Sequence, residues 1–152
     1  MLTEKLVRSR ARKAKPSGLL SLERLVEVLE WNYAIPEDVD VSFGGEVTLE
    51  DGEALYVRLE PEPGHVLLLR RYWATDVEDT TYYVAIYSTL TRPREIKGVP
   101  DMAFPSLLPI DRQVEFLMYN GSGVPNEYRY FFELLMRPRD KLPAHLREKL
   151  KR

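Results

Sequence analysis

From Val39 onward, apolar and polar residues take turns. Val39, Val41 and Phe43 alternate with Asp40 and Ser42; Val47 and Leu49 alternate with Glu46, Thr48 and Glu50; Leu55, Val57 and Leu59 alternate with Tyr56, Arg58 and Glu60. Neighbouring side chains on a strand point to opposite faces, so this spacing predicts strands with one buried side. Gly44-Gly45 marks a bulge or turn, Asp51-Gly52 a hairpin turn, and Pro61-Glu62-Pro63-Gly64 a further turn. Residues 66–73 form an apolar run broken by Arg70-Arg71, which predicts a buried strand emerging at its end. A polar loop at 76–80 precedes another strand at 83–90. The clearest alternation lies in 111–138. Val114, Phe116 and Met118 share one face, and Tyr128, Tyr130, Phe132, Leu134 and Met136 share another. This predicts a β-hairpin at the centre of an antiparallel sheet, with strands at 112–119 and 128–137 joined by a turn at 120–127.

The pattern differs at both ends and in one internal stretch. Leu22, Leu25, Val26 and Leu29 follow Ser21 at helical spacing and predict one amphipathic helix of about eleven residues, ended by Pro36. Residues 143–151 predict a short basic helix with Leu142, Leu146 and Leu150 on one side. Residues 91–111 carry Pro93, Pro100, Pro105 and Pro109 without clear periodicity, and predict a long loop. Its Met102, Phe104, Leu107, Leu108 and Ile110 are too apolar for open solvent and cover either this domain's core or another subunit. The expected fold is all-β. It is an antiparallel β-sandwich, jelly-roll-like or immunoglobulin-like, of about seven strands, with one N-terminal amphipathic helix and basic terminal tails. The expected layout is an N-terminal arm at 1–17, the helix and sandwich at 18–138, and a C-terminal tail at 139–152.

Charge sharpens this layout. The formal net charge of −2 hides a division. Residues 1–15 hold Lys5, Arg8, Arg10, Arg12, Lys13 and Lys15 against Glu4, and residues 137–152 are similarly basic. The body between them is correspondingly acidic. Basic ends on an acidic body suit contact with a polyanion or with the acidic face of a neighbouring subunit. Arginine outnumbers lysine about two to one and the loops are rich in proline, a composition expected of a heat-adapted protein. No apolar run approaches the ~18 residues of a membrane span, and the basic N-terminus lacks the apolar core of a secretory signal. Asn120-Gly121-Ser122 is then expected to be a turn rather than a glycosylation site.

Little points to catalysis. The chain has no cysteine, which excludes disulfides, thiolate chemistry and cysteine-bound zinc. Its histidines, His65 and His145, are far apart, and its glycine pairs lack the strand-to-helix setting of a phosphate loop. No catalytic residue, cofactor or metal site is assigned. Asp76, Glu78 and Asp79 are the best oxygen cluster for calcium, though a solvated loop accounts for them better. The aromatics Tyr72, Trp73, Tyr82, Tyr83 and Tyr87 fall within two strands. They are core, a subunit interface, or a sugar-stacking platform in which Tyr72, Trp73 and Tyr83 act beside Asp76 and Asp79.

The basic arm at residues 5–15, the sandwich with its turns at Asp51-Gly52 and residues 61–64, the proline-rich stretch and the closing strand at 128–136 together resemble small β-sandwich structural proteins of viruses and tailed phages, the capsid-decorating and jelly-roll coat proteins. The resemblance is one of architecture. It implies a non-enzymatic assembly protein located in the virion, or otherwise cytoplasmic, that self-associates or docks on a larger shell. The expected partner-binding residues are Lys5, Arg8, Arg10, Arg12 and Lys13 of the arm with Met102, Phe104 and Leu107 of the long stretch. A glycan- or receptor-binding module and a nucleic-acid binder acting through its tails are the alternatives.

Overall fold

The computed structural model describes residues 34–151. The arm at 1–17, the helix expected after Ser21 and the terminal Arg152 lie outside these residues. Nine strands are described: β1 (Val39–Asp40), β2 (Phe43–Leu49), β3 (Ala54–Leu59), β4 (His65–Ala74), β5 (Thr80–Tyr87), β6 (Arg94–Lys97), β7 (Asp101–Ile110), β8 (Gln113–Asn120) and β9 (Asn126–Pro138). A 3-10 turn at Arg139–Lys141 and a helix α1 (Ala144–Leu150) follow.

The strands form two antiparallel sheets packed face to face, a β-sandwich. In the first sheet β9 lies between β4 and the pair β1 and β2, and β7 forms the far edge; the second runs β3-β8-β5-β6. β1 and β2 both lie along β9, separated by a break at Val41-Ser42 where Val41 N–H donates to the Leu134 carbonyl at 3.0 Å. The pairings are nested. β5 pairs with β6, β4 with β7, β3 with β8 and β2 with β9.

This order corrects two expectations. The turns at Asp51-Gly52 and at residues 121–125 do not close hairpins. Each carries the chain from one sheet to the other, since β2 and β3, like β8 and β9, lie in different sheets. Alternation fixes which side chains face the core. It is blind to which strand lies alongside, so a hairpin and an inter-sheet crossing share one pattern. The expected loop at 91–111 is also mostly strand, β6 and β7. Both are edge strands, where proline costs no ladder hydrogen bond needed by a neighbour. Pro105 falls where β4 and β7 slip register between Leu69 and Arg71.

The main core lies between the sheets and includes Val57, Leu59, Leu67, Leu69, Tyr72, Val84, Ile86, Phe116, Met118, Tyr128 and Phe132. Tyr72, Phe116 and Phe132 meet there, with centroids 5.3 to 6.4 Å apart. A second core lies on the outer face of the first sheet, where Val66, Leu68 and Leu107 pack with Leu90 against Leu142 and Leu146 of the C-terminal segment. The first half of β4, residues 66–69, is therefore buried on both faces, which explains its apolar run up to Arg70. The expected stripe of Leu142, Leu146 and Leu150 faces this core, with Leu142 just ahead of α1 and Leu146 and Leu150 on it. Gly44 has a steric cause. A Cβ there would sit 2.6 Å from the Phe131 ring and 2.5 Å from the Tyr130 carbonyl oxygen. Among the described residues no helix is long and apolar enough to cross a membrane.

Candidate interaction surfaces

The sandwich scatters the expected ligand site. Tyr72 is fully buried; its hydroxyl donates to the Val99 carbonyl at 3.1 Å, and burial pushes its acidity far below that of a free phenol. The next residue, Trp73, faces the other way, onto the outer side of the first sheet, where it stacks on Phe131 at 6.1 Å. Tyr83 lies on the outer side of the opposite sheet, with the Lys97 ammonium 5.6 Å from its ring. Asp76 and Asp79 sit in the β4–β5 connection at one end. These five residues do not converge, because strand alternation separates Tyr72 from Trp73 and the second sheet carries Tyr83 to the far side. No group of three or more His, Asp or Glu side chains among the described residues has metal-holding geometry.

The expected partner residues of the 91–111 stretch are also used internally. Phe104 is buried in the main core with Met102 packed against it, and Leu107 lies in the second core. Of the two readings of that stretch, covering the domain's own core is the one realised. Lys5, Arg8, Arg10, Arg12 and Lys13 lie outside the described residues.

Two surfaces remain, both hard to find in the sequence. The first is the outer face of the second sheet. Tyr56, Glu115, Leu117, Tyr83 and Tyr87 fall there because their neighbours Val57, Phe116, Val84 and Ile86 point into the core. Glu115 is 6% exposed, and its carboxylate accepts from Gln113 Nε2 at 2.9 Å and from the Tyr56 hydroxyl at 3.2 Å. Burial raises the Glu115 carboxyl above its ordinary range; hydrogen bonding and the nearby Arg58 only partly offset this. Burial and the proximity of Glu115 push the Tyr56 phenol up to about 12 and raise that of Tyr87. The Nε of Arg58 is shielded from solvent without a hydrogen-bond partner. The only sequence signal for this cluster is an acidic residue at a strand's centre.

The second surface is the end of the sandwich formed by the connections 50–53, 75–79, 98–100 and 121–125. Glu50, Asp51, Glu53, Asp76, Glu78 and Asp79 are exposed there, with Glu127 beside them, and these connections contain no lysine or arginine. Their shape is fixed partly by two of these carboxylates, Asp51 accepting from Gly123 N–H at 3.0 Å and Glu53 from Glu50 N–H at 2.7 Å, and partly by neutral contacts. Asn120 is fully buried, and its amide donates to the carbonyls of Leu49 at 2.9 Å and Val124 at 2.8 Å. Its backbone N–H donates to Glu53 and its carbonyl accepts from Gly52. Gly121 N–H reaches the Asp79 carbonyl at 3.0 Å. The Asn120-Gly121-Ser122 triplet is thus a turn whose Asn side chain is spent inside the fold.

No family model matches this chain, and no curated protein matches it in sequence.

Proposed function

We propose that this chain is a non-enzymatic jelly-roll assembly protein, a virion component of the capsid-decorating or coat kind, that docks on neighbouring subunits through its basic arm. The supporting observation is the nested pairing of β2 with β9, β3 with β8, β4 with β7 and β5 with β6 across one five-stranded and one four-stranded sheet. That order matches a double-sheet jelly roll and differs from the immunoglobulin sandwich. Phe104 and Leu107 are buried in the domain's own cores and the half-buried Met102 packs against the first of these. Docking falls to the arm, whose Leu2, Leu6 and Val7 supply apolar anchors among its charges. Light scattering on the purified chain, and its recovery within a larger particle, test this reading. Deleting residues 1–15 leaves the sandwich folded and abolishes docking. A full chain that is strictly monomeric and joins no particle refutes it.

A second reading has its own support. The outer face of the second sheet presents tyrosines around a buried carboxylate, a combination suited to stacking and hydrogen-bonding a sugar. In this reading the platform is Tyr56, Tyr83 and Tyr87 with Glu115, not Tyr72, Trp73, Asp76 and Asp79. A glycan array checks it: hits that weaken at least about tenfold in Tyr87→Ala support the platform. An array without hits removes it.

A further inference from the structure

The outer face of the first sheet is roofed over part of its length. Toward one end, Leu142 and Leu146 of the C-terminal segment cover Val66, Leu68 and Leu107. Toward the other end, Trp73 and Phe131 stack on each other at 6.1 Å. Both are half-buried, and among the described residues neither belongs to either core. Leu135 lies between the two regions, half-buried at the border of the second core. Beside it runs a groove of about 360 Å³ lined by Ala34, Asp40, Arg70, Phe131, Glu133 and Leu135. Phe131 and Leu135 stand four residues apart on β9, about 13 Å at ~3.3 Å each. Gly44 serves the same face, since its missing Cβ leaves room for the Phe131 ring.

The chain itself supplies a cover of this size. Ala34, the first described residue, lines the groove. Ahead of it, Leu22, Leu25, Val26 and Leu29 make a helical stripe about 10 Å long at ~1.5 Å per residue. Leu29 precedes Ala34 by five residues, a span of at most about 17 Å. The outer face of the second sheet lies beyond that span, because the sheets stack about 10 Å apart and a helix is itself about 10 Å across. We propose that the helix expected after Ser21 lies on the outer face of the first sheet of its own chain. Its leucine stripe covers Trp73, Phe131 and Leu135 and so extends the second core along the sheet. Charge does not select this site, since the groove carries Asp40, Arg70 and Glu133 and the helix carries Glu23, Arg24, Glu27 and Glu30. The contact is apolar, and salt leaves it in place. It stands apart from the assembly reading and fixes where the arm sets out. The arm leaves from the first sheet's side, and the tyrosines on the second sheet stay open.

Tryptophan fluorescence of the full chain tests it. The chain has two tryptophans, Trp31 and Trp73, so Trp31→Phe leaves Trp73 as the sole indole. In this background Leu25→Glu/Leu29→Glu should shift the Trp73 emission to the red and make it easier to quench with acrylamide. It should also lower the melting temperature by about 5–10 °C. Far-UV circular dichroism serves as the folding control for the strands. The milder Leu25→Ala/Leu29→Ala should move all three readouts the same way by less, and it carries the test where the glutamates unfold the sheets. Arg24→Glu/Glu27→Lys alters the opposite side of the helix and should move none of them. Trp73 should be equally shielded at about 0.05 and about 0.5 M sodium chloride, and at every protein concentration. Trp73 emission and quenching untouched by both leucine variants overturns the contact, whatever happens to the melting temperature. Shielding that is lost on dilution assigns the face to the helix of a second copy and overturns it as well. Either failure leaves the arm reading intact, because deleting residues 1–15 tests the arm and spares this helix.

Discussion

The two ends of the sandwich use charge in opposite ways. At the end where the described chain begins, charge is built into the fold. Arg137 Nε donates to Asp38 Oδ1 at 2.7 Å and its Nη2 to Oδ2 at 2.8 Å, in a pair whose side chains are 3% and 1% exposed. Nearby, Asp111 accepts from the Ser88 hydroxyl at 2.8 Å, from the Thr89 N–H at 2.6 Å and from the Thr89 hydroxyl. At the other end a neutral amide, Asn120, is the buried anchor of the loops, and the carboxylates are exposed, with, among the described residues, only Asp51 and Glu53 accepting from loop N–H groups. A buried charge is tolerated only with a geometrically complete partner, whereas a displayed charge costs the fold almost nothing and is free for other uses.

The largest expected effect breaks the first half of this contrast. Asp38→Ala removes the bidentate carboxylate partner of the buried Arg137 guanidinium and should cost about 3–5 kcal/mol in urea denaturation. The double variant Asp38→Leu/Arg137→Met should recover most of that loss. Equal destabilisation by the single and double variants would mean that the pair adds net stability rather than merely satisfying itself.

Asn120→Ala comes next. It removes the buried side-chain donor to the Leu49 carbonyl and one of the donors to the Val124 carbonyl, which keeps those from Ser122 and Asn126, and should cost about 1–3 kcal/mol. Amide exchange should quicken in residues 50–53 and 121–125 while β4 stays protected. A uniform rise in exchange would show that Asn120 supports the whole core and not one end.

Asp111→Asn should cost about 1–2 kcal/mol at neutral pH. Burial pushes the Asp111 carboxyl up, but hydrogen bonds from Thr89 and Ser88 outweigh it and hold the carboxyl below its ordinary value. The folded state thus favours the ionised form. The contribution is present above the unfolded carboxyl range and is lost as the pH falls through the lower, folded value. The gap between wild type and variant should therefore narrow in acid.

Glu115 should behave in the opposite sense. Its raised carboxyl makes the ionised form a cost at neutral pH, and that cost disappears as the pH falls below the unfolded value. Glu115→Gln keeps an acceptor for Tyr56 and should stabilise the fold at pH 7 by about 1 kcal/mol or less, with no gain in acid. A loss at pH 7 would show that the carboxylate's hydrogen bonds outweigh its desolvation. The smallest effect belongs to the acidic end, where Glu50→Lys or Asp76→Lys should change stability by no more than about 0.5 kcal/mol.

Much of the strand content was legible in the sequence, because alternation is a local property. The strands expected at 112–119 and 128–137 are found at Gln113–Asn120 and Asn126–Pro138. Pairing was not legible, because Phe43 meets Phe132 across most of the domain and no local pattern records that meeting. β7 was hidden by proline, a strand breaker only where a neighbour needs its N–H, and an edge position removes that need. The aromatic platform was misplaced for a related reason. Tyr72 and Trp73 are adjacent in sequence, and on a strand adjacency means opposite faces. The acidic end was legible as residues and illegible as a surface, since its members come from two separate connections, 50–53 and 75–79, and the start of β9.

The nested pairing also sets an order of events during folding. The β5–β6 hairpin closes a short loop, 88–93, whereas β2 and β9 join positions as far apart as Phe43 and Phe132. The entropy cost of closure rises with separation, so each inner pair that forms shortens the effective loop left for the next. Folding should thus proceed outward from β5–β6, slowly, as expected for a chain dominated by distant contacts. During synthesis β2 emerges early and must wait for β9, the last strand made. Until then β4 and β2 both lack a neighbour, and their bare edges are the stretches most exposed to pairing with another chain.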